Sequence, residues 1–407
     1  MAWKVPYSGV SNRLGLEEAE ALIKALQQDT LAYGPLRDQF EAEFAQYLGV
    51  RHVASTSSCT AALALSAQLL GLKEGDEVIV PTQTFWATAW PLVARKCTIR
   101  FADMDANSLN MDPATVEPLI TPKTKAIYVV HHGGQAADMD PILDIAHRHG
   151  LRVVEDCAHA PGARYKGRFV GTLGDFGCFS FHSLKNMTAG EGGALVTNDD
   201  ALFRFARAMS SIGTMGEMCE RRTTSIGPYE KPAYYQDGHA RNSYTHDYAG
   251  PFEVGNNYRL GELNAALARV QLRKLDGLNE GRRLIAQRLN DGLRGVKGIE
   301  LQLEKPYAYH IYHLYTFFYH PEIVGASKDD FLRYLEQEEG IQIQVRYMPL
   351  HLLPEFRALG HRYGECPVAE KVYFEQQIEL PIYNHLTDGQ IEHMIGGIHR
   401  AIQHLAH

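Results

Sequence analysis

The chain contains the stretch Gly174-Asp-Phe-Gly-Cys-Phe-Ser-Phe-His-Ser-Leu-Lys-Asn-Met-Thr-Ala-Gly-Glu-Gly-Gly193. Its mostly apolar run at 178–181 predicts a short strand, and a loop carrying Lys185 follows. The glycines at 190–193 let the backbone turn tightly and approach a bound group, before a second predicted strand at 194–197. A lysine just past a strand end can form a Schiff base with an aldehyde or ketone, if desolvation or neighbouring cations lower its pKa. On this stretch alone, an exposed loop lysine beside an ordinary hairpin turn is an equal alternative.

Length and composition narrow the class of protein. A chain of 407 residues predicts two domains, one large and one small, and 45% apolar residues are ordinary for a protein with a sizeable core. The net charge of −8 argues against nucleic-acid binding. The sequence shows no apolar run long enough for a membrane span or a signal peptide, and its six cysteines include no CxxC pair. We therefore expect a cytoplasmic enzyme without disulfides, a metal site or a membrane partner.

Strand-like and helix-like segments alternate through the first half of the chain. Most of the strand-like runs are separated by helical patterns, for example at 58–70, 141–149 and 199–209. Such alternation predicts an α/β fold with a mostly parallel sheet between layers of helices, where ligands bind beyond the carboxyl ends of the strands. Two more helices are expected before the sheet, at 16–28 and 36–48. The seven predicted strands are 52–56, 77–81, 98–101, 125–130, 152–156, 176–181 and 194–197.

Several of the predicted strand ends carry side chains that could bind a ligand or take part in catalysis. Serines and threonines at 55–60 would cap a helix whose free amides can bind phosphate, although a plain helix cap is commoner. Phe85 places an aromatic ring at another strand end, where a core role is equally open. Glu155 and Asp156 end a buried run and need partners; Asp156 suits an ion pair, a helix cap or the counter-charge of a cationic ring. Together with Lys185, these groups are what pyridoxal phosphate requires.

Over nearly its whole length the chain resembles the DegT/DnrJ/EryC1/StrS sugar aminotransferases. The resemblance implies fold type I, with a large α/β domain around a mostly parallel seven-stranded sheet and a smaller α+β C-terminal domain. It rests on nine motifs in the family's order, each weak alone but specific as a set. They are Leu31-Ala-Tyr-Gly-Pro35, Ser57-Ser-Cys-Thr-Ala-Ala-Leu63, Gly75-Asp-Glu-Val-Ile-Val-Pro81, Thr84-Phe-Trp-Ala-Thr88, His131-His-Gly-Gly-Gln-Ala-Ala-Asp-Met-Asp140, Glu155-Asp-Cys-Ala-His-Ala160, Ser180-Phe-His-Ser-Leu-Lys185 with Gly190-Glu-Gly-Gly193, Asn257-Tyr-Arg-Leu260 and Arg346-Tyr-Met-Pro-Leu-His351.

The resemblance implies pyridoxal 5'-phosphate as cofactor. Lys185 matches the lysine that binds this cofactor covalently, Asp156 matches the acid that pairs with its pyridine nitrogen, and Phe85 matches the aromatic residue that stacks on its ring. Asn257 matches an asparagine that reaches the phosphate in the neighbouring subunit. The resemblance therefore implies a homodimer whose active sites are built from both chains.

The phosphate cradle is likewise carried over from the family. It would consist of the backbone around Ser58, Cys59 and Thr60, together with the hydroxyl of Ser180. Cys59 departs from the family's pattern, because glycine is usual at this position. The start of that helix must therefore accept a side chain near the phosphate.

Other positions depart from the family's pattern as well. His159 stands where glutamine is usual; it could still donate to the cofactor's 3-oxygen, but it adds a group that titrates near neutrality. Arg346 stands where histidine is common, and we expect Arg346 and His313 to bind substrate. The segment 210–253 is longer than its family counterpart and predicts a loop over the active site.

The remaining sequence predicts the smaller domain at 258–407, so that residues 1–257 form the cofactor-binding domain. Apolar residues at helical spacing predict a long helix over 258–294, which Gly277, Gly281 and Gly292 should break or kink. The other predicted elements are strands at 309–319 and 341–347 and helices at 328–338, 367–376 and 387–404.

The family's chemistry implies transfer of an amino group from glutamate or glutamine to a keto-sugar. The acceptor would most often be nucleotide-linked, in amino-sugar, antibiotic or polysaccharide biosynthesis. Arg221, Arg222 and Lys231 of the long loop would then bind the diphosphate together with Arg346. A keto-cyclitol acceptor, as in aminoglycoside biosynthesis, is the alternative. A catalytically silent regulator with the same fold is a remote alternative, because the residues for the chemistry are retained.

Overall fold

A seven-stranded sheet lies at the centre of the larger part of the protein in the computed structural model, which describes residues 3–32, 34–211 and 255–406. The strands among these residues are His52–Thr56 (β1), Glu77–Pro81 (β2), Thr98–Ala102 (β3), Thr124–Val130 (β4), Arg152–Asp156 (β5), Arg164–Tyr165 (β6), Arg168–Phe169 (β7), Phe176–Ser180 (β8), Gly193–Thr197 (β9), Ile299–Leu301 (β10), Ala308–Tyr309 (β11), Tyr315–Tyr319 (β12) and Gln377–Leu380 (β13). In the seven-stranded sheet they are ordered β1-β9-β8-β5-β4-β2-β3.

The prediction of a mostly parallel sheet of seven strands is confirmed. All seven predicted strands are present, and β9 alone among these seven runs antiparallel to both of its neighbours. Alternate residues of a strand point to opposite faces, so Ile127 and Val129 of β4 join one apolar core while Ala126 and Tyr128 join another. The sheet is therefore buried on both faces, as expected for parallel strands covered by helices.

Helices cover the sheet and build the C-terminal part. The helices in the described part of the chain are Leu16–Leu26 (α1), Pro35–Leu48 (α2), Cys59–Leu69 (α3), Trp90–Ala94 (α4), Met139–His149 (α5), Asp200–Met209 (α6), Glu262–Leu293 (α7), Pro321–Val324 (α8), Lys328–Gln337 (α9), Pro354–Ala358 (α10), Pro367–Lys371 (α11) and Asp388–Leu405 (α12). Helices α1 and α2 pack against α7, and α3 packs against β8 and β9. A π-helical turn, Val372–Gln376, follows α11.

Helix α7 is continuous over 32 residues, so the predicted break at its glycines is wrong. Each interior glycine costs a helix roughly 0.5–1 kcal/mol relative to alanine. Burial of apolar side chains such as Leu275 and Leu289 contributes roughly 1.5–3 kcal/mol each and outweighs that cost. Gly292 also has a packing reason, because a Cβ there would lie 2.6 Å from Ile395 Cδ1 on α12.

The C-terminal part has its own antiparallel sheet, ordered β10-β12-β13, and its own apolar core. The predicted strand at 309–319 is divided into β11 and β12, and the sequence analysis missed β10 and β13. The predicted strand at 341–347 is wrong: Ile341 and Gln344 form only isolated bridges. The backbone amide of Arg346 donates instead to the side chain of Glu379 at 3.0 Å, so a side-chain bond replaces the strand ladder there.

Packing crosses the proposed domain boundary at residue 257, and that boundary stays a prediction. Val5 belongs to the core of the C-terminal part, whereas Phe318 and Leu350 pack into a core of the large sheet. The cysteines in the described part of the chain are free and buried. Of the helices described, none is both long and apolar enough to cross a lipid bilayer.

Candidate active site

A cavity of about 280 Å³ opens beyond the carboxyl ends of the parallel strands. Its walls include residues that end or follow β1, β2, β5 and β8, the edge where parallel sheets bind ligands. Of the predicted site residues in the described part of the chain, all except Asn257 line this cavity. These residues are Ser58, Cys59, Thr60, Phe85, Asp156, His159, Ser180, Lys185, His313 and Arg346.

Lys185 lies on the loop after β8 with its side chain half-buried in the cavity. The next residue anchors this loop, since the Asn186 side chain donates to Asn279 Oδ1 at 2.8 Å and to the Ile311 carbonyl at 3.1 Å. Burial lowers the pKa of Lys185 to about 8, although the Asp156 carboxylate acts in the opposite direction. Near neutral pH a larger fraction of this amine is therefore unprotonated than for an ordinary lysine, as a nucleophilic lysine requires.

Asp156 ends β5 and is buried against the cavity. Thr88 Oγ1 donates to Asp156 Oδ2 at 2.7 Å, and the amide of Ala158 donates to Oδ1 at 3.0 Å. Burial raises the pKa of Asp156, although these hydrogen bonds and the charge of Lys185 oppose the shift. A cation placed in the cavity would favour the ionised carboxylate, so Asp156 suits a protonated ring nitrogen.

The neighbouring carboxylate, Glu155, is part of a separate buried network. It accepts three backbone amides within 171–174, each at 2.7 Å, and one oxygen lies 2.9 Å from His131 Nε2. His131 Nδ1 accepts the amide of Ala137, so Nε2 carries the ring proton. His131, Glu155 and Cys157 are close enough together to resemble a metal site. Because Nδ1 accepts one hydrogen bond and Nε2 donates the other, neither ring nitrogen has a lone pair left for a metal, and the network instead holds the 171–174 turn in place.

The N-terminus of α3 forms the predicted phosphate cradle. Ser58 caps this helix, because its Oγ accepts the amide of Ala61 at 3.1 Å. The amides of Cys59 and Thr60 occupy the first helical positions, where no helical carbonyl can reach them. Gly193 allows β9 to approach this turn, because a Cβ there would lie 2.3 Å from the carbonyl carbon of Ser58. An anion at this end of the cavity would meet free amides and the positive end of the helix.

Two side chains complete this end of the cavity. Ser180 is buried at the end of β8, where its hydroxyl can contribute to the cradle. The thiol of Cys59 lies 3.7 Å from Asp156 Oδ1, and burial raises its pKa well above the usual value. The cysteine in place of the family's glycine therefore adds a weak donor to the Asp156 carboxylate.

The orientation of His159 is set by its two ring nitrogens. Gly133, which has a left-handed φ of 63°, donates its amide to Nδ1 at 3.4 Å, so the ring proton resides on Nε2. Nε2 lies 3.2 Å from the hydroxyl oxygen of Tyr347 and therefore donates to it. Tyr347 lines the cavity, and its own hydroxyl proton is left for another acceptor.

The prediction that His159 titrates near neutrality is wrong. Burial lowers its pKa well below the usual value, and the positive charges of Lys185 and Arg346 act in the same direction. His313 stacks on it at 4.4 Å between ring centroids, and burial lowers the pKa of His313 in the same way. His313 Nδ1 lies 3.2 Å from Asn186 Oδ1 and donates to it. Two neutral imidazoles therefore form this wall of the cavity.

Arg346 reaches the cavity from the C-terminal part of the chain. Its Nε donates to Glu379 Oε2 at 2.7 Å, and its guanidinium carbon lies 5.1 Å from the ring centroid of Tyr7. Burial would lower the pKa of Arg346, but Glu379 and the nearby tyrosines outweigh burial and raise it. Arg346 is thus a permanent cation held by a buried carboxylate.

Phe85 and Asn257 occupy exposed positions. Phe85 is 39% exposed, and its ring centroid lies 5.6 Å from that of Tyr347. Asn257 is exposed outside the cavity and forms a bridge with Ser211. The cations of the predicted loop, Arg221, Arg222 and Lys231, lie outside the described residues, as does most of the 210–253 segment.

The sequence analysis missed three residues that shape the site. Thr88 follows Phe85 by three residues within one family motif, and Tyr347 follows Arg346 directly within another, so their polar side chains close to predicted site residues were the available signal. Glu379 had no such signal, because its carboxylate reaches Arg346 from a strand 33 residues further along the chain.

The arrangement fits pyridoxal phosphate: a helix N-terminus for its phosphate, a buried carboxylate for its ring nitrogen and an amine of lowered pKa for its aldehyde. The model of the DegT/DnrJ/EryC1/StrS aminotransferase family matches residues 12–399. Among curated proteins, the chain is 34% identical to the spore coat polysaccharide biosynthesis protein SpsC of Bacillus subtilis, over 95% of this chain and 94% of SpsC.

The chain is also 37% identical to the erythromycin biosynthesis sensory transduction protein EryC1 of Saccharopolyspora erythraea, over 92% of this chain and 93% of EryC1. Among solved structures, DesV of S. venezuelae superposes with a TM-score of 0.82 at 32% identity, over 95% of this chain and 94% of DesV.

Proposed function

The chain belongs to the DegT/DnrJ/EryC1/StrS aminotransferase family and is a pyridoxal-phosphate-dependent aminotransferase, and from this premise we propose that it transfers an amino group from glutamate or glutamine to a nucleotide-linked keto-sugar. The observation that carries the proposal is the lysine of lowered pKa, Lys185, which shares one cavity with the buried carboxylate of Asp156. The similarity to SpsC, which is named as a spore coat polysaccharide biosynthesis protein, supports a sugar acceptor.

The cofactor would be bound by residues from four strand ends. The amides of Cys59 and Thr60 and the hydroxyl of Ser180 would hold its phosphate, and Phe85 would cover its ring. Asp156 would pair with the ring nitrogen. When bound, pyridoxal phosphate supplies an aldehyde for the lysine and an electron sink for the carbon that bears the amino group.

Lys185 would then act as the acid–base group of the reaction. A general base works best when its pKa lies near the working pH, and burial brings the pKa of Lys185 to about 8. In the first half-reaction the amine can take the proton from the α-carbon of the donor. In the second half-reaction, which runs in the reverse sense, it can deliver a proton to the carbon of the acceptor that receives the amino group. Asp156 stabilises the positive charge of the ring nitrogen while this proton is transferred.

A keto-cyclitol acceptor is the second candidate, because it carries no diphosphate that a cluster of free cations would have to bind. Glu379 compensates Arg346, and His159 and His313 are neutral, so the described walls offer neutral hydrogen-bonding groups rather than a cluster of free cations. Such a surface suits the hydroxyls of a sugar or cyclitol ring. Retention of Lys185 and Asp156 argues against a catalytically silent regulator.

The test separates the two half-reactions of the purified protein reconstituted with pyridoxal phosphate. Addition of L-glutamate or L-glutamine should abolish the visible absorbance of the bound cofactor. After removal of the keto acid, a thymidine-diphosphate-linked keto-deoxyhexose and an inosose are offered in parallel. Return of the absorbance with the first supports the nucleotide-sugar proposal, and return with the inosose alone supports the cyclitol. Failure of both amino acids to remove the absorbance would contradict the proposed donor.

A further inference from the structure

The guanidinium of Arg346 is held rigidly at the cavity wall. Its Nε donates to Glu379 Oε2 at 2.7 Å, and the backbone amide of the same residue donates to Glu379 Oε1 at 3.0 Å. The ring of Tyr7 packs on the guanidinium, and the Tyr7 hydroxyl donates to the backbone carbonyl of Glu379 at 3.0 Å. Gln377 donates to Glu379 Oε1 at 3.1 Å and also to the carbonyl of Arg346. Arg346 is therefore oriented before any ligand binds.

The free part of this guanidinium has the geometry that a carboxylate needs. Arginine carries five N–H donors, and the side chain of Arg346 uses Nε on Glu379 and is also hydrogen-bonded with the Tyr7 side chain. The remaining Nη donors can meet a ligand in the cavity that Arg346 lines. Two parallel N–H donors match the two oxygens of a carboxylate, which a single point donor cannot do.

The size of the cavity and the charges along its walls favour a small monoanion beside Arg346. The cavity measures about 280 Å³ and contains Lys185, Asp156 and Arg346 along its walls. The α-carboxylate of an amino acid is attached to the carbon that bears the reacting nitrogen, so it must lie close to Lys185. A diphosphate is separated from a reacting ketone by the sugar ring and needs space beyond it. The buried charge of Glu379 also opposes a dianion more strongly than a monoanion.

We propose that Arg346 binds the α-carboxylate of the amino donor, with Glu379 as the residue that positions its guanidinium. This inference rests on the proposed function, since it requires an amino-acid donor to react in this cavity. It assigns Arg346 to the donor and not to the diphosphate of a nucleotide-linked acceptor. The acceptor's recognition then depends on the neutral wall formed by His159, His313 and Tyr347.

The experiment compares two donors that differ only at the α-carboxylate. L-Glutamate and L-isoglutamine, whose α-carboxylate is replaced by an amide, are titrated against the holoenzyme while the visible absorbance of the cofactor is followed. The wild-type protein should bind glutamate about 10- to 100-fold more tightly, the range expected for a charge-assisted bidentate pair. In Arg346→Gln this preference should fall to about onefold, because both probes then meet a neutral side chain.

Two variants separate recognition from folding. Arg346→Gln leaves Glu379 buried without its cation, so the double variant Arg346→Gln/Glu379→Gln keeps a neutral pair and should show the same loss of preference. Arg400→Gln removes the cation from another arginine–glutamate pair, with Glu339, which does not line the cavity. That control should keep the full preference for glutamate. The affinity of each apoprotein for pyridoxal phosphate should remain within about twofold of the wild-type value.

Three outcomes would overturn the inference. The first is equal binding of glutamate and isoglutamine by the wild-type protein, and the second is a preference that survives in both Arg346 variants. The third is an Arg346 variant that binds glutamate as tightly as the wild-type protein but binds the thymidine-diphosphate-linked acceptor more weakly. That result would assign Arg346 to the diphosphate. Failure of the proposed function looks different, because the wild-type absorbance would then respond to neither amino acid nor to the acceptors.

Discussion

Lys185 and Asp156 face the same cavity. Burial lowers the pKa of Lys185 and raises the pKa of Asp156, so it favours the neutral form of each side chain. Each group alone would therefore carry less charge than in water. A bound cofactor with a cationic ring nitrogen would change this balance for Asp156, because it supplies the missing positive charge. The protonation states of Lys185 and Asp156 therefore depend on whether a ligand occupies the cavity.

Replacement of Lys185 tests its proposed role directly. Lys185→Ala should abolish transamination and should prevent borohydride from fixing pyridoxal phosphate to the protein, because no amine remains to bind the aldehyde. The fold should persist, because the substitution removes only a half-exposed side chain on a loop. Both effects are measured by mass spectrometry and by the two half-reactions. An active Lys185→Ala protein would contradict the assignment.

The lowered pKa of Lys185 also predicts a pH dependence. Only the unprotonated amine attacks an aldehyde, so the rate at which apoprotein takes up pyridoxal phosphate should rise with pH and level off above about pH 8. Stopped-flow absorbance measures this rate. A rate that keeps rising to pH 10 would mean that Lys185 has the pKa of an ordinary lysine.

The same shift affects stability. Between about pH 8 and the ordinary lysine value of 10.5, the unfolded chain binds more protons at this residue than the folded chain does. The contribution of Lys185 to the free energy of unfolding therefore rises with pH in this window. Urea unfolding of apoprotein should show Lys185→Met gaining most over wild type below pH 8, and this advantage should shrink towards pH 10.5. An advantage that is independent of pH would contradict the burial of a charged amine.

Asp156→Asn tests the counter-charge of the ring nitrogen. The amide can keep the hydrogen bond from Thr88 but cannot stabilise a protonated nitrogen, so the protein should bind the cofactor while kcat falls by about 100-fold or more. Cofactor stoichiometry and single-turnover rates give the two readouts. Unchanged turnover in a fully loaded variant would assign this role to another group.

At the scale of elements, α7 shows how burial outweighs local propensity. Its glycines differ in surroundings: Gly277 has open space where a Cβ would stand, whereas Gly292 packs against Ile395 of α12. Gly277→Ala should raise the free energy of unfolding by roughly 0.5–1 kcal/mol, because alanine favours the helix. Gly292→Ala should lower it by roughly 1–3 kcal/mol through overpacking. Equal effects in urea unfolding would show that neighbouring packing does not distinguish the two sites.

At the scale of the whole molecule, the cavity is open on a surface that carries apolar side chains. Phe85, Trp86 and Leu184 are between 39% and 47% exposed. Asn257 is exposed and lies outside the cavity of its own chain. The next residue, Tyr258, is close to the cradle, because its backbone carbonyl accepts the amide of Ser57. We propose that a second copy of the chain covers this surface and that Asn257 completes the partner's cradle.

Complementation tests the shared site. Lys185→Ala and Asn257→Asp should each be inactive, and an equal mixture should regain about a quarter of wild-type activity, because half of the dimers are mixed and each has one intact site. Sedimentation and subunit exchange with labelled protein provide the control. No recovery after confirmed exchange would place Asn257 outside the partner's site.

Much of the fold and of the site follows from local features of the sequence. The alternation of apolar runs specified the seven strands of the sheet, because buried parallel strands must be apolar on both faces. Strand ends then indicated where Asp156 and Lys185 would lie, since the carboxyl ends of parallel strands share one edge. The capped turn at Ser58 predicted a helix start with free amides. These features depend on residues close together in the chain.

The tertiary structure decided what depends on distant partners. The pairing of Arg346 with Glu379, the proton on His159 Nε2 and the neutrality of that imidazole all arise from burial and contacts between segments far apart. The same holds for the unbroken helix α7, whose buried face offsets its glycines. Hydrogen-bond direction and desolvation depend on the surroundings of a group in space, so no local pattern could have specified them.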